Sequence, residues 1–235
     1  MASIYLIRHG QASFGAENYD QLSPLGQRQA DVTGQYCARV GLTFDAAYSG
    51  NLSRQQETGR RVLAGLGNPC ELTVDARFNE VNNDEQIEAL LPLVKAANPE
   101  IASVVDRGIT SKDYQKVIRA VFNAWVSPDC PDLGITPWST YRDGVQSALS
   151  EVMTSVGSGK DTAIFTSGGT IATAVALVTG AAASGVYQFY EPIMNCSITR
   201  FIYNSVQQVS LSNFNDTAHL QMLSVELGEK LVTYR

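Results

Sequence analysis

The chain has 235 residues, of which 44% are hydrophobic and 17% are charged, and it carries a formal net charge of −6 at pH 7. This composition excludes an extensively disordered protein, and the acidic balance argues against a nucleic-acid-binding protein, which would present a basic face. It does not exclude a site for a small anion, since such a site needs only two or three cations.

Strand-like and helix-like segments alternate along the chain. The continuous apolar run over 3–7 predicts a strand that is buried on both faces, and Ser23-Pro24 predicts the start of a helix over 24–40. Further predicted elements follow in order: strand 45–49, helix 52–66, strand 71–75, helix 141–157, strand 162–166, helix 170–180, and strands 197–203 and 208–212. This alternation predicts an α/β fold, a three-layer αβα sandwich with a mostly parallel central sheet.

Residues 82–140 interrupt the alternation. They contain no convincing strand, two helical patterns over 85–97 and 112–125, and several prolines. We interpret this stretch as a helical cap insertion within a single domain that spans residues 1–235. Its aromatic side chains either form the core of the cap or contact a substrate, and the core is the favoured role for Tyr114, Phe122 and Trp125.

The cysteines and the apolar segments bear on the compartment. The four cysteines lie far apart without a C-x-x-C pair, so we expect free thiols in a reducing compartment and not a zinc ribbon or a disulfide framework. The apolar N-terminal run has no basic residue ahead of it, unlike a signal peptide, and the longest apolar stretch, 171–183, is too short to span a bilayer. These features predict a cytoplasmic protein without a membrane partner.

Polar turns follow several of the predicted strands. Ligands of open α/β sheets bind beyond the carboxyl ends of the strands, so these turns should meet in one place. In chain order they supply Arg8, His9, Gly10, Gln11, Ser13, Ser49, Asn51, Ser53, Arg54, Arg77, Asn79, Glu80, Ser167, Gly168, Gly169 and Thr170.

These residue types describe a phosphate site. Arginines bind phosphate oxygens bidentately, and a glycine-rich helix start adds N–H donors. A neutral imidazole can attack phosphorus, and a carboxylic acid can protonate a leaving alcohol oxygen. No cluster of Asp, Cys or His has metal-ligand spacing, so the arginines must neutralise the charge. We therefore expect neither a metal nor a cofactor.

Residues 6–10, Leu-Ile-Arg-His-Gly, resemble the Arg-His-Gly motif of the histidine phosphatase superfamily, in the branch that includes cofactor-dependent phosphoglycerate mutase. The resemblance implies that His9 is the nucleophile that becomes phosphohistidine, that Arg8 and Arg54 clamp the phosphoryl oxygens, and that Glu80 donates the proton. Other segments resemble the family in its own order: 22–26 (LSPLG), 48–58 (YSGNLSRQQET), 78–80 (FNE), 167–171 (SGGTI) and 215–220 (NDTAHL).

The chain departs from the family pattern at two places. Ser167 stands where the family usually has a second histidine, in a Ser-His-Gly-Gly sequence. Losing one such donor costs on the order of 10²–10³ in rate, of which the Ser167 hydroxyl and the N–H groups of Gly168 and Gly169 can recover part. Residues 11–15 also lack the asparagine that is usual in mutases, which argues against mutase activity.

The sequence therefore predicts a weak or atypical phosphomonoester phosphatase that acts on a small phosphorylated metabolite and releases inorganic phosphate. A non-catalytic phospho-ligand-binding protein on the same fold remains the alternative, because of Ser167. His219 is expected to pack near the C-terminus and not to replace the missing histidine. The predicted catalytic residues are His9 and Glu80, and the predicted phosphate-binding residues are Arg8, Arg54, Ser167, Gly168, Gln11 and Ser13.

Overall fold

The structure is a computed structural model that describes residues 1–13, 20–67, 70–110 and 112–234. The strands found in these residues are β1 (Ala2–Arg8), β2 (Ala46–Ser49), β3 (Leu72–Val74), β4 (Asp161–Thr166), β5 (Ile198–Ser205) and β6 (Gln208–Asp216). The helices are α1 (Pro24–Arg39), α2 (Ser53–Leu66), α3 (Asn83–Ala97), α4 (Pro99–Asp106), α5 (Tyr114–Trp125), α6 (Trp138–Val156), α7 (Gly168–Thr179), α8 (Val186–Tyr190) and α9 (Ala218–Leu227).

The strands form one sheet in the order β3-β2-β4-β1-β5-β6. The pairs β2–β3, β2–β4 and β1–β4 are parallel, whereas β1–β5 and β5–β6 are antiparallel. The predicted α/β fold with a mostly parallel sheet is therefore confirmed. The parallel part places the carboxyl ends of β1, β2 and β4 side by side, which is where ligands of such sheets bind.

Helices cover both faces of the sheet, and β1 is therefore buried on both. Ile4 and Leu6 belong to a hydrophobic cluster that includes residues of α6 and α7. Tyr5 and Ile7 point to the opposite face and belong to a second cluster with residues of α1, α2 and α9. This alternation is the period of a strand, and it produces three layers.

Helix α1 begins where the sequence predicts and packs closely on the end of β1. The Ser23 side chain accepts a hydrogen bond from the Gly26 N–H at 3.0 Å, and Pro24 is the first helical residue. A Cβ atom on Gly10 would lie 2.3 Å from the Gly26 carbonyl oxygen, so only glycine permits this approach. The close contact fixes the turn that carries His9.

The stretch 82–140 contains the helices α3, α4 and α5, and no strand is found among its described residues. Helix α4 was not predicted, although the Asn98 side chain caps it by accepting from the N–H groups of Glu100 and Ile101. Phe122 and Trp125 are buried in the cluster that also contains Leu6. The helices thus share a core with the sheet; their assignment to a cap insertion in a single domain stays a prediction.

Candidate active site

A cavity of about 670 Å³ opens beyond the carboxyl ends of the parallel strands. Its walls come from the strand-end turns on one side and from helices α5 and α8 on the other. The turns contribute Arg8, His9, Arg54, Asn79 and Glu80, and the helices contribute Tyr114, Gln115, Ile118, Tyr187 and Tyr190. Four residues that the sequence predicts as the reacting and clamping groups therefore line one cavity.

His9 is held in one tautomer by its neighbours. Its main-chain N–H donates to the Thr166 carbonyl at 2.8 Å, which ties the end of β1 to β4. Arg54 Nε donates to His9 Nε2 at 3.2 Å, so Nε2 carries the lone pair and Nδ1 donates to the Gly10 carbonyl at 2.7 Å. Burial, followed by the charges of Arg54 and Arg8, holds the pKa of His9 well below its usual range. The imidazole is therefore neutral, and the lone pair of Nε2 points towards Arg54.

Arg8 is anchored by neutral backbone oxygens. Its Nη1 donates to the Ile193 carbonyl and to the Tyr234 carbonyl, the latter at 3.0 Å. Its Nε is buried and has no hydrogen-bond partner among the described residues. These carbonyl contacts orient the guanidinium without neutralising its charge, which suits it to bind an anion.

Arg54 lies in the first turn of α2 and is paired with a residue that the sequence analysis did not select. Its Nη1 lies 2.7 Å from Asp20 Oδ1, and Asp20 Oδ2 accepts from the Ser53 N–H at 2.8 Å. The Arg54 carbonyl accepts from Thr58 Oγ1, which in turn accepts from the Gly10 N–H. Helix α2 and the β1 turn are thereby joined, and a phosphate on Arg54 would share it with Asp20.

Glu80 follows a single 3₁₀ turn, Ala76–Phe78, whose last residue is fully buried. Glu80 Oε1 accepts from the N–H groups of Gly169 at 2.8 Å and Val81 at 3.0 Å. Burial raises the pKa of Glu80 despite the opposing charges of Arg54 and Arg8. Because Oε1 already accepts two hydrogen bonds, a proton bound by Glu80 would reside on Oε2.

The start of α7 differs from the open anion site that the sequence suggested. The Gly169 N–H donates to Glu80, and a Cβ atom on Gly169 would lie 2.4 Å from Glu80 Oε1. Ser167 is fully buried, and its Oγ accepts from Gln55 Nε2 at 2.8 Å. Neither Ser167 nor Gly168 is among the residues that line the cavity. Their phosphate-binding role stays a prediction.

Gln11 and Ser13 lie in the turn after His9 and support its backbone. Gln11 donates its N–H to Gln29 Oε1 at 2.8 Å and accepts from Ser23 Oγ, whereas the Ser13 N–H donates to the Gln21 carbonyl. Neither residue is among those that line the cavity, so their binding of phosphate also stays a prediction. The last part of the turn, residues 14 and 15, lies outside the described residues.

His219 lies elsewhere, between α9 and α1. Its ring stacks on Tyr36 with the centroids 5.0 Å apart, and its Nε2 is 3.2 Å from Thr33 Oγ1. Burial lowers its pKa to about 4. These contacts agree with the packing role that the sequence predicts.

Two absences hold for the part of the chain that the structure describes. In it, no group of three or more His, Cys, Asp and Glu side chains is arranged to hold a metal ion. No helix there combines the length and the apolar character that crossing a membrane requires.

The geometry defines a class of site: a neutral imidazole flanked by two guanidinium groups and a buried glutamate, at the carboxyl end of a parallel sheet. Residues 4–101 match the family model of the histidine phosphatase superfamily (branch 1). This segment is similar to that superfamily, and part of the chain is similar to curated phosphoglycerate mutases.

The curated relatives match about a third of the chain. The 2,3-bisphosphoglycerate-dependent phosphoglycerate mutase of Rhizobium johnstonii is 34% identical over 85 residues, which is 33% of this chain and 40% of the relative. That of Parvibaculum lavamentivorans is 40% identical over 84 residues, with the same shares of both chains. The match spans about two fifths of the length of these relatives.

Solved structures resemble the whole fold. A phosphoserine phosphatase mutant from Entamoeba histolytica, in complex with phosphoserine, has a TM-score of 0.64 at 19% identity and covers 94% of this chain and 100% of that chain. The phosphoglycerate mutase of Bacillus anthracis has a TM-score of 0.68 at 16% identity and covers 94% and 95%. A mycobacterial glucosyl-3-phosphoglycerate phosphatase has a TM-score of 0.61 at 17% identity and covers 91% and 98%. At these identities the likeness shows the fold.

Proposed function

We propose that this protein is a phosphomonoester phosphatase in which His9 forms a phosphohistidine intermediate. The observation that carries the proposal is the hydrogen bond from Arg54 Nε to His9 Nε2, because it leaves the imidazole neutral with its lone pair on the nitrogen beside the clamping arginines. A phosphoryl group bound there would take over the Arg54 donor and free Nε2 for attack.

The proposed reaction has two steps, and Glu80 donates a proton in the first and accepts one in the second. Nε2 attacks phosphorus, the P–O bond to the alcohol breaks, and Glu80 Oε2 gives its proton to the leaving oxygen. A water then attacks phosphohistidine, the P–N bond breaks, and Glu80 takes a proton from that water. Arg8 and Arg54 bind the phosphoryl oxygens in both steps.

The proposed substrate is a small phosphorylated metabolite, and inorganic phosphate is the second product. Neighbouring folds in complex with phosphoserine and with 3-phosphoglyceric acid support a ligand of this kind. The absence of a histidine at position 167 supports weak or atypical turnover and argues against a mutase. The free thiols of the cysteines support a reducing, cytoplasmic location.

The test is hydrolysis of p-nitrophenyl phosphate with EDTA present, together with trapping of phosphorylated protein by an alkaline denaturing quench, because phosphohistidine is hydrolysed in acid. The wild type should turn over in EDTA and carry acid-labile phosphate, and His9→Asn should lose both. His219→Gln, which removes the other histidine, should keep both if it folds. Activity that survives His9→Asn, or that EDTA abolishes in the wild type, contradicts the mechanism.

A second candidate function is a phosphate-binding protein without turnover. It is favoured by one observation, the burial of Ser167 against Gln55, which withdraws its hydroxyl from the cavity. Such a protein would bind vanadate and phosphate through Arg8 and Arg54 but form no phosphohistidine. Detection of the phosphorylated intermediate decides between the two candidates.

A further inference from the structure

Helix α8 places one tyrosine ring directly over the start of α7. A Cβ atom on Gly168 would lie 2.9 Å from Cε2 of Tyr190 and 3.1 Å from its Cδ2. Tyr190 is also one of the residues that line the cavity, with Arg8, His9 and Glu80. Tyr190 thus lines the cavity over Gly168, which follows Ser167, the position at which the resemblance implies a second histidine.

Packing fixes the direction of this ring. Its centroid lies 5.5 Å from that of Phe122 and 5.7 Å from that of Tyr187. Both neighbours are buried, at 1% and 4% exposure. A ring held on three sides keeps its hydroxyl in one place, which is the preorganisation that a catalytic donor needs.

The Tyr190 hydroxyl is arranged to donate. Asn83 Nδ2 donates to the Tyr190 oxygen at 2.8 Å, so this oxygen is an acceptor and its own O–H points elsewhere. Burial, followed by the charge of Glu80, raises the pKa of Tyr190 well above its usual range, and the charge of Arg8 acts in the opposite direction. The hydroxyl therefore keeps its proton at neutral pH and lies close enough to Glu80 and Arg8 for their charges to act on it.

We propose that Tyr190 is a catalytic residue whose hydroxyl donates a hydrogen bond to a phosphoryl oxygen of the ester held by Arg8 and Arg54. It supplies the donor that Ser167, bound to Gln55, does not. The proposal rests on the proposed function, since the charge that it stabilises develops on the phosphoryl oxygens during transfer to His9. No proton is transferred from Tyr190.

The test compares Tyr190→Phe with Tyr203→Phe. The first removes the hydroxyl and keeps the ring on Gly168. The second removes the hydroxyl of Tyr203 on β5, which donates to the Gly157 carbonyl. Tyr190→Phe should lower kcat/KM for p-nitrophenyl phosphate by about 10²- to 10³-fold, the range of one lost oxyanion donor. Tyr203→Phe should stay within about twofold of the wild type.

Two readouts separate donation from a structural role. Vanadate mimics the transition state, so Tyr190→Phe should weaken inhibition by vanadate by about the same factor as kcat/KM and weaken inhibition by phosphate less. The fold-decrease in kcat/KM should also be equal for aryl and alkyl phosphates, because the proposed hydrogen bond is made to a phosphoryl oxygen and not to the leaving oxygen. Unchanged vanadate inhibition in a folded Tyr190→Phe protein overturns the proposal.

The outcomes distinguish this inference from the proposed function. A wild type that is active and phosphorylated, together with a Tyr190→Phe variant of equal kcat/KM, refutes the role of Tyr190 alone. A wild type that binds vanadate without turnover refutes the phosphatase. The affinity of Tyr190→Phe for vanadate then still tests the donor, and an unchanged affinity refutes it.

Discussion

At the scale of residues, burial acts on His9 and Glu80 in opposite directions. Loss of solvent disfavours the imidazolium and lowers the pKa of His9, whereas it disfavours the carboxylate and raises the pKa of Glu80. The charges of Arg54 and Arg8 add to the first shift and oppose the second. Both residues are therefore shifted towards the neutral forms that attack and proton donation require.

Replacement of Glu80 by glutamine should change the pH profile in a defined way. In the wild type, kcat/KM should fall as the pH rises and Glu80 loses its proton; in Glu80→Gln this alkaline fall should be absent. The rate should drop by about 10²–10⁴ for an alkyl phosphate, and less for p-nitrophenyl phosphate, whose leaving group needs little protonation. The profile is measured by initial rates from pH 4 to about 9.

Glu71→Gln is the matched control, because Glu71 is exposed, and it should keep the wild-type profile. An alkaline fall that persists in Glu80→Gln would assign the titration to another group.

Sequence patterns predicted which candidate site residues lie together but not the neighbours that hold them. Arg8, His9, Arg54 and Glu80 follow predicted strands or begin a helix, so the rule for parallel sheets was enough to place them together. The contacts of Arg54 with Asp20 and of Ser167 with Gln55 were not predictable. They join side chains 34 and 112 residues apart, and no local pattern encodes such partners.

At the scale of elements, the helices that the sequence missed have weak local signals. Helix α9 is apolar on its exposed side as well, with Val225 85% exposed, so it lacks an amphipathic pattern. Helix α8 has only five residues. Helix α7 begins two residues before the predicted start because the Glu80 carboxylate accepts from the Gly169 N–H, and a Gly-Gly pair alone predicts a turn.

The negative charge of Asp20 beside Arg54 should weaken the binding of anions in the cavity. Asp20→Asn keeps an oxygen for the Ser53 N–H but removes the negative charge beside Arg54. Competitive inhibition by phosphate should tighten by roughly threefold to tenfold, since an exposed or half-buried charge contributes about 1 kcal/mol. Inhibition constants at low ionic strength measure the effect.

Asp31→Asn provides the comparison, because Asp31 on α1 pairs with Arg61, which lies on α2 like Arg54 but outside the cavity. It should leave inhibition by phosphate unchanged. Equal inhibition of the wild type and Asp20→Asn would show that the Asp20 charge does not oppose the anion.

At the scale of the whole molecule, the site joins distant parts of the chain. Arg8 contacts the carbonyls of Ile193 and Tyr234, which are 185 and 226 residues away in the chain. Leu231, which lies between α9 and Tyr234, is fully buried. Gln29 Nε2 donates to the Leu231 carbonyl at 2.7 Å and fastens this segment to α1. Contacts of such separation form late, because they close the largest loops.

Recovery of activity should therefore lag behind the recovery of secondary structure during refolding. After dilution from denaturant, far-UV circular dichroism should return first, and phosphate-ester hydrolysis should return in a slower phase. The two signals are recorded on the same sample. Identical time courses would place the contacts of Arg8 in the first folding step.

The anchors of Arg8 are main-chain oxygens, and every amino acid carries one. Position 234 can therefore vary, whereas Ile193 is fully buried in the core. A different side chain at 234 would reshape the wall of the cavity while the guanidinium stayed where it is. If the proposed phosphatase activity is correct, substitutions at this position would change which phosphate esters fit the cavity without moving the arginine that binds the phosphoryl group.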